Sequence, residues 1–142
     1  MRKWSVSRVF SDAESGVVSD GVFRHGRALA VEGNAQPIAC LLYEEDRVVA
    51  GAVGRTEFDR LFVNSLWVTE AYRRQGIGSA ALQKLELAAH AEGCRDAIIE
   101  TLDDRVARLY KKHGYEELAY VAAYVGPFNR HILLKRFSRS GA

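Results

Sequence analysis

The chain has 142 residues, a length typical of one compact domain. Hydrophobic residues make up 48% and charged residues 27%, so the composition excludes collagen-like, low-complexity and wholly disordered chains. The formal net charge of +2 is too small to indicate a nucleic-acid partner, although the positive surplus lies in residues 72–142.

Cysteine usage and hydrophobic runs predict a cytoplasmic protein with no membrane contact. Cys40 and Cys94 belong to no CxxC pattern and are too few for a disulfide framework. The longest apolar run, 118–125, is far below the roughly 20 residues of a membrane helix, and the N-terminus lacks a signal-peptide hydrophobic stretch. The histidines have no metal-like spacing, so we expect no metal. We expect a single domain over residues 1–142, with a frayed tail from about residue 138.

The first half of the chain predicts a strand, a helix and then an antiparallel meander. Residues Trp4 to Phe10 alternate apolar and polar side chains, as a strand does. Ser11 and Glu14 form a capping box that opens a helix weakened by two internal glycines. Three further strands are predicted, the first two as a hairpin, at 38–43, 47–53 and 61–68.

The second half alternates helices with strands. Apolar residues recur at helical spacing from Gly76 to Glu92, and Gly93 ends that helix. A buried strand follows at 96–100, and Asp103 or Asp104 caps a second helix. That helix and two final strands are predicted at 106–113, 115–124 and 130–137. The order predicts an α/β fold of the layered α+β kind, with a mixed, mostly antiparallel sheet of about six or seven strands and helices on both faces.

The most informative segment leads into the helix that begins at Gly76. The free N–H groups of a helix's first turn and its dipole favour an anion. Gly76 and Gly78 let the backbone approach that anion closely, and Arg73 and Arg74 add positive charge beside it. The segment therefore predicts a phosphate site, and the length of the loop fits a diphosphate best.

Two other phosphate-binding patterns fit this segment less well. A nucleoside-triphosphate loop needs Gly-Lys-Ser/Thr, whereas Gly78 is followed by Ser79 and Ala80. The dinucleotide pattern GxGxxA is met formally, but seven residues separate Val68 from Gly76, and that pattern has its first glycine in the tight turn that leaves the strand.

Two motifs resemble those of one enzyme family. Residues 73–78, Arg-Arg-Gln-Gly-Ile-Gly, resemble the R/Q-x-x-G-x-G/A motif of the GNAT superfamily of N-acyltransferases. Residues 104–115 look like its N-x-x-A-x-x-L/F-Y-x-K-x-G-F/Y segment, and 134–137 resemble the last strand of many members. The element order agrees over roughly residues 4–137. The resemblance implies a GNAT-like sheet with a splayed parallel strand pair in the centre, here the strands at 61–68 and 96–100.

The resemblance also implies a substrate and a site. Acetyl-CoA, or another acyl-CoA, would lie between the splayed strands and give its acetyl group to a primary amine of a small molecule or peptide by direct attack in a ternary complex. The N–H of Leu66 would polarise the thioester carbonyl, and Tyr110 would protonate the departing thiolate. The implied cofactor-binding residues are Leu66, Trp67, Val68, Arg73, Arg74, Gln75, Gly76, Ile77, Gly78, Ser79, Asp104, Ala107 and Tyr110. Dimers are frequent in the family, so a homodimer is allowed.

Departures from the family pattern leave the general base open. Many members carry a catalytic glutamate two or four residues before the Leu66 position, where this chain has Asn64 and Phe62. Asp104 also stands where an asparagine is usual. The remaining candidates for the base are Glu57, Asp59, Glu100 and a water molecule held by Asn64. A non-catalytic acyl-CoA-binding or sensor module and an NAD-dependent oxidoreductase remain as alternative functions.

Two further groups of residues have ordinary structural interpretations. His113 is expected to be a cation at the C-terminus of its helix. A solvated edge strand with a frayed tail is expected to carry the basic residues Arg130, Lys135, Arg136 and Arg139.

Overall fold

The computed structural model describes residues 1–29 and 34–138, so residues 139–142 of the frayed tail predicted from about residue 138 lie outside the described residues. The chain forms two compact units, Met1–Gly33 and Asn34–Ala142. The described residues contain no helix long and apolar enough to span a membrane, and no cluster of histidine, cysteine, aspartate and glutamate arranged to hold a metal ion. The helices and strands are α1 (Asp12–Leu29), β1 (Gln36–Glu44), β2 (Arg47–Glu57), β3 (Arg60–Val68), α2 (Ile77–Ala91), β4 (Asp96–Thr101), α3 (Asp104–Lys112), β5 (Glu116–Val125) and β6 (Phe128–Arg136).

The first unit contains α1 and confirms the predicted capping box. The Ser11 N–H donates to Glu14 Oε1 at 2.9 Å, and the Glu14 N–H donates to Ser11 Oγ at 3.0 Å. The strand predicted at Trp4 to Phe10 is wrong, because no residue of that segment is in a strand. Ser7 Oγ accepts from the Val9 N–H at 2.9 Å and donates to the Val9 carbonyl at 3.0 Å. Such local bonds compete with strand pairing for the same backbone groups.

The second unit contains a six-stranded mixed sheet in the order β1-β2-β3-β4-β6-β5, which confirms the predicted fold class. The central pair, β3 and β4, is parallel and every other pair is antiparallel. The prediction of an edge strand for the basic residues at 130–136 is wrong, because β6 lies between β4 and β5. The sequence of β6 resembles an edge strand because it is rich in basic residues and lacks nearby acids. In the structure, the acids that pair with Arg130 and Lys135 come from other elements.

Both helices of the second unit pack on the same face of this sheet. Leu82 and Leu85 of α2 and Tyr110 of α3 share one core with Leu61 of β3 and Leu133 of β6. Both crossovers, β3 to β4 and β4 to β5, advance in the same direction along the sheet. Right-handed crossovers of that kind place their helices on one side. Within the second unit, α2 and α3 therefore do not form the predicted helical layers on both faces.

A β-bulge in β3 opens the centre of the sheet. Val53 pairs with Ser65 and Gly54 pairs with Val63, so Asn64 is the extra residue. A Cβ atom on Gly54 would lie 2.1 Å from the Phe62 carbonyl oxygen, so the strand opposite the bulge requires glycine. In the described residues, pairing between β3 and β4 stops at Val63 and Ile99. Beyond this point β3 has a free edge.

Candidate active site

A cleft of about 440 Å³ lies beside the free edge of β3, between the start of α2 and the face of α3. It gathers most of the residues that the two motifs predict for a cofactor site. Three predicted residues, Gln75, Asp104 and Ala107, do not line it. The lining residues are Leu66, Trp67, Val68, Tyr72, Arg73, Arg74, Gly76, Ile77, Gly78, Ser79, Val106, Leu109 and Tyr110.

The backbone of β3 presents hydrogen-bonding groups to this cleft. The Thr69 N–H donates to the Val49 carbonyl at 2.8 Å, on the side where β2 lies. Because backbone groups alternate in direction along a strand, the N–H and C=O groups of Leu66 and Val68 point to the opposite side, toward β4. Among the residues that the structure describes, no strand pairs with β3 there, so these groups face the open edge.

The loop before α2 is held so that the helix begins at the cleft. Gly76 is the N-cap residue and has a φ of 77°, and Arg74 has a φ of 65°. The side chain of Arg73 donates from Nε to the Val68 carbonyl at 2.9 Å, which ties the loop to the end of β3. Apart from its chain neighbours, no atom of the described residues lies within 4 Å of the position that a Cβ atom of Gly76 would occupy, so the backbone is bare at that point. The first N–H groups of α2 therefore meet open space and can hold an anion.

Ser79 and His113 join the start of α2 to the end of α3. His113 is the C-cap residue of α3, as its predicted position at the helix end requires. Its Nε2 lies 2.9 Å from Ser79 Oγ, and its Nδ1 lies 3.5 Å from Gln83 Nε2. The sequence contained no local signal for this contact, because 34 residues separate its two partners. The contact joins Ser79, which lines the cleft, to the C-terminal end of α3.

Two buried tyrosines, Tyr110 in α3 and Tyr115 just after it, differ in the hydrogen bonding of their hydroxyl groups. Tyr115 donates to Glu86 at 2.6 Å, and its ring lies 5.8 Å from that of Tyr110. Tyr110 is 5% exposed, and burial raises the pKa of its phenol. In the described part of the chain its hydroxyl has no hydrogen-bond partner, whereas every fully buried side-chain oxygen there has one. The Tyr110 hydroxyl is therefore directed to the open space of the cleft, and Tyr115 serves packing.

Asp104 is bound to other side chains at the start of α3 instead of lining the cleft. Asp103 is the N-cap, since its Oδ1 accepts from the Arg105 N–H at 2.8 Å, so the cap is Asp103 and not Asp104. Asp104 Oδ1 lies 2.7 Å from Nε2 of the buried His131, and both carboxylate oxygens lie 3.3 Å from Asn129 Nδ2. The acid at this position is thus partnered within the protein.

His131 lies between two carboxylates. Its Nδ1 contacts Glu117 and its Nε2 contacts Asp104, so the imidazolium form can donate to both. Burial acts to lower the pKa of His131, but the two carboxylates outweigh burial and raise it. Hydrogen bonds from His131 in turn lower the pKa values of Asp104 and Glu117. This network joins α3 to β5 and β6.

His131→Gln should destabilise the protein more near pH 6 than near pH 9. A histidine whose pKa is raised by folding contributes stability below its unfolded pKa of about 6.5, and this is lost as pH rises through the folded value. The two carboxylates, with lowered pKa values, remain charged at both pH values. Urea unfolding of wild type and variant at the two pH values measures the difference. His90→Gln is the control, because the His90 ring packs against Phe137. Equal losses at both pH values for His131→Gln would contradict an imidazolium at this position.

The structure separates the four candidates for the general base. Asp59 directly precedes β3, and Glu57 pairs in register with Arg60 at the start of β3. Both therefore lie at the opposite end of this strand from the free edge. Glu100 follows Ile99, the last residue of β4 paired with β3, so it lies where the two strands separate. Asn64 lies on the other side of the same gap.

The splayed parallel strands, the bare helix start and the tyrosine hydroxyl define an acyltransferase fold with its cleft. The sequence model of the Acetyltransferase (GNAT) family matches residues 4–115. The chain therefore belongs to the GNAT acetyltransferase family, as the two motifs predicted.

Individual proteins agree with this assignment. The blasticidin-S acetyltransferase of Streptomyces morookaense is 31% identical over 93 residues, which cover 65% of this chain and 68% of that protein. The crystal structure of an acetyltransferase from Bacillus cereus has a TM-score of 0.80 at 25% identity and covers 94% of this chain and 98% of its own. A Bacillus anthracis protein crystallised with acetyl coenzyme A shares the fold, with a TM-score of 0.62 at 15% identity and coverage of 72% of this chain and 63% of its own.

Proposed function

We propose that this acetyltransferase moves the acetyl group of acetyl-CoA to a primary amine of a small molecule or peptide. The observation that carries the proposal is one continuous cleft in which the free backbone edge of β3 leads to the bare start of α2. This arrangement suits a ligand with an amide-containing arm and a diphosphate. The relative named for acetylating blasticidin S and the fold neighbour crystallised with acetyl coenzyme A support the same donor chemistry.

Groups along the cleft would meet the donor from its diphosphate to its pantetheine arm. The first-turn N–H groups of α2, with Arg73 and Arg74 beside them, would hold the diphosphate. The Leu66 carbonyl and the Val68 N–H would pair with the amides of the pantetheine arm, as an added strand pairs with a sheet edge. The family match runs from residue 4 to residue 115 and includes residues of both compact units, which supports one acyltransferase domain.

Two groups of the cleft, the Leu66 N–H and the Tyr110 hydroxyl, would serve the transfer step. The amine nitrogen forms a bond to the acetyl carbon while the carbon–sulfur bond breaks. The Leu66 N–H stabilises the negative charge that develops on the carbonyl oxygen. Tyr110 gives its proton to the departing thiolate and recovers one from solvent. Because burial raises the pKa of Tyr110, its hydroxyl is protonated at neutral pH and suits an acid.

Glu100 is the group that we propose accepts the proton of the attacking amine. It lies at the point where β3 and β4 separate, and 48% of its side chain is exposed. Glu57 and Asp59 pair instead with Arg55 and Arg95 at the other end of β3. A carboxylate at the gap can take the proton directly or through the water that Asn64 would hold.

Ligand binding and turnover test the proposal together. CoA and acetyl-CoA should raise the melting temperature of the protein, and NAD should not, because a ligand that binds only the folded state stabilises it. Release of free thiol from acetyl-CoA should depend on an amine in a broad acceptor panel. Stabilisation by NAD alone would support the oxidoreductase instead. Stabilisation by acetyl-CoA without turnover of any amine would support the sensor module.

A further inference from the structure

The face of the sheet opposite α2 and α3 determines what can reach the thioester. Val63 of β3 and Ile99 of β4 pair with each other, and both belong to the hydrophobic core that α2 covers. Along a strand, successive side chains point to opposite faces of the sheet. Glu100 therefore projects to the opposite face. Because α2, α3 and the donor would occupy one face, an acceptor must approach from the face that carries Glu100.

Glu100 is joined on this face to a guanidinium group. Its carboxylate forms an ion pair with Arg130 of β6, the strand beside β4. Arg130 also donates from Nη1 to the Tyr124 hydroxyl at 3.0 Å, and its Cζ lies 4.9 Å from the centre of the Tyr124 ring. The Arg130 side chain remains 30% exposed. Two of its five N–H groups are used in these bonds, so others are free to bind a further acceptor atom.

An irregularity in β5 brings Tyr124 to Arg130. The pairing of β5 with β6 shifts register between Val121 and Val125, and Ala123 has a φ of 51°. The Ala123 N–H donates to Asn129 Oδ1 at 3.0 Å, which stabilises this irregular backbone. Bulges of this kind redirect side chains, commonly next to active sites. The hairpin therefore holds an arginine and its aromatic support beside the proposed base.

We propose that the acceptor is an amine that also carries a carboxylate, and that Arg130 binds this carboxylate. The inference rests on the proposed function and names the substrate class of the same site. A planar guanidinium binds a carboxylate through two parallel N–H···O bonds. An acceptor with both groups would place its amine at Glu100 and its carboxylate at Arg130. Glu100 and Arg130 would then give up their ion pair with each other, and each would gain an oppositely charged group of the acceptor. An amine without a carboxylate would compete with Arg130 for the Glu100 carboxylate, and Arg130 would lose its anionic partner.

Matched acceptor pairs test the proposal. Glycine, β-alanine and γ-aminobutyrate are each compared with the corresponding carboxamide, and thiol release from acetyl-CoA gives kcat/KM for each. Wild type should favour the carboxylate of at least one pair by about 10-fold or more, as expected for charge-assisted hydrogen bonds. Arg130→Gln should bring that ratio close to one, and Arg130→Lys should restore part of it. Equal rates within every pair for wild type would overturn the proposal.

Two further variants separate this inference from the proposed function. Glu100→Gln should lower kcat for both members of a pair by a similar factor, because it removes the base. Arg136→Gln, at the other end of β6, is the control and should leave the ratio as in wild type. If no amine is acetylated, the proposed function fails, and melting temperatures then test the inference.

With CoA present, glycine, β-alanine or γ-aminobutyrate should raise the melting temperature of wild type more than the corresponding carboxamide does. An equal effect of acid and amide in every pair would overturn the inference.

Discussion

Gly78→Asp is expected to abolish acetyl-CoA binding while the fold is kept. The new carboxylate would stand in the first turn of α2, where the proposed diphosphate lies, and would repel it. In the described part of the chain outside its own helix, a Cβ atom at this position meets Val68 Cγ2 alone, at 3.4 Å, so the fold has room for the side chain. The first turn of α2 contains no acidic residue, so an aspartate there should stabilise the helix by about 0.3–1 kcal/mol.

Calorimetry with acetyl-CoA measures the effect of Gly78→Asp. We expect the affinity to fall by at least about 100-fold, which corresponds to about 2.7 kcal/mol. Gly16→Asp is the matched control, because Gly16 also lies in a helix, α1, has open space at its Cβ position among the described residues and belongs to the other compact unit. Gly78→Ala separates bulk from charge and should have a smaller effect. An affinity for acetyl-CoA that Gly78→Asp leaves at the wild-type value would mean that the phosphates bind elsewhere.

Tyr110→Phe is expected to lower kcat by about 100-fold or more with little change in affinity for acetyl-CoA. General acid catalysis typically contributes about 10²–10⁴ to a rate. The hydroxyl of Tyr110 has no hydrogen-bond partner in the described residues, so its removal leaves no protein group unsatisfied. A fall in kcat with unchanged binding is the pattern of a group that acts in the transition state.

Tyr115→Phe provides the matched control for this experiment. It removes a hydrogen bond of 2.6 Å to the buried Glu86, so it should lower the free energy of unfolding by about 1–3 kcal/mol. Its kcat should stay close to that of wild type at temperatures where both remain folded. If the Tyr110 variant instead kept its kcat, the thiolate would be protonated by solvent and Tyr110 would serve packing alone.

Features carried by short segments could be predicted from the sequence. The capping box at Ser11, the start of α2 at Gly76 and the alternation of strands with helices each depend on residues within a few positions. The two motifs predicted most of the cleft lining for the same reason, because each motif contributes one continuous wall of the cleft. The segment at Trp4 to Phe10 shows the limit of such patterns, since one serine side chain there bonds the backbone and no strand forms.

Contacts between distant segments could not be predicted in this way. His131 meets Asp104 across 27 residues, and Arg130 meets Glu100 across 30. In the sequence, His131 is one histidine among several, and Arg130 belongs to a basic run that resembles a solvated edge. The order of the strands brings these side chains together, and no local pattern specifies that order. For the same reason, the sequence left the general base open among residues at opposite ends of β3.

The bond from Arg73 to the Val68 carbonyl would favour one register of the proposed donor along β3. An extended arm that shifted toward the helix would have to share this carbonyl with the Arg73 guanidinium, which already donates to it. The carbonyl of Leu66 is therefore the acceptor that this stretch of the free edge offers to an amide of the arm. If acetyl-CoA binds as proposed, this register would set the distance between its diphosphate and its thioester. The acyl carbon would then stop at the same point for every chain length, and a longer acyl group would extend past the gap into the space that the acceptor needs.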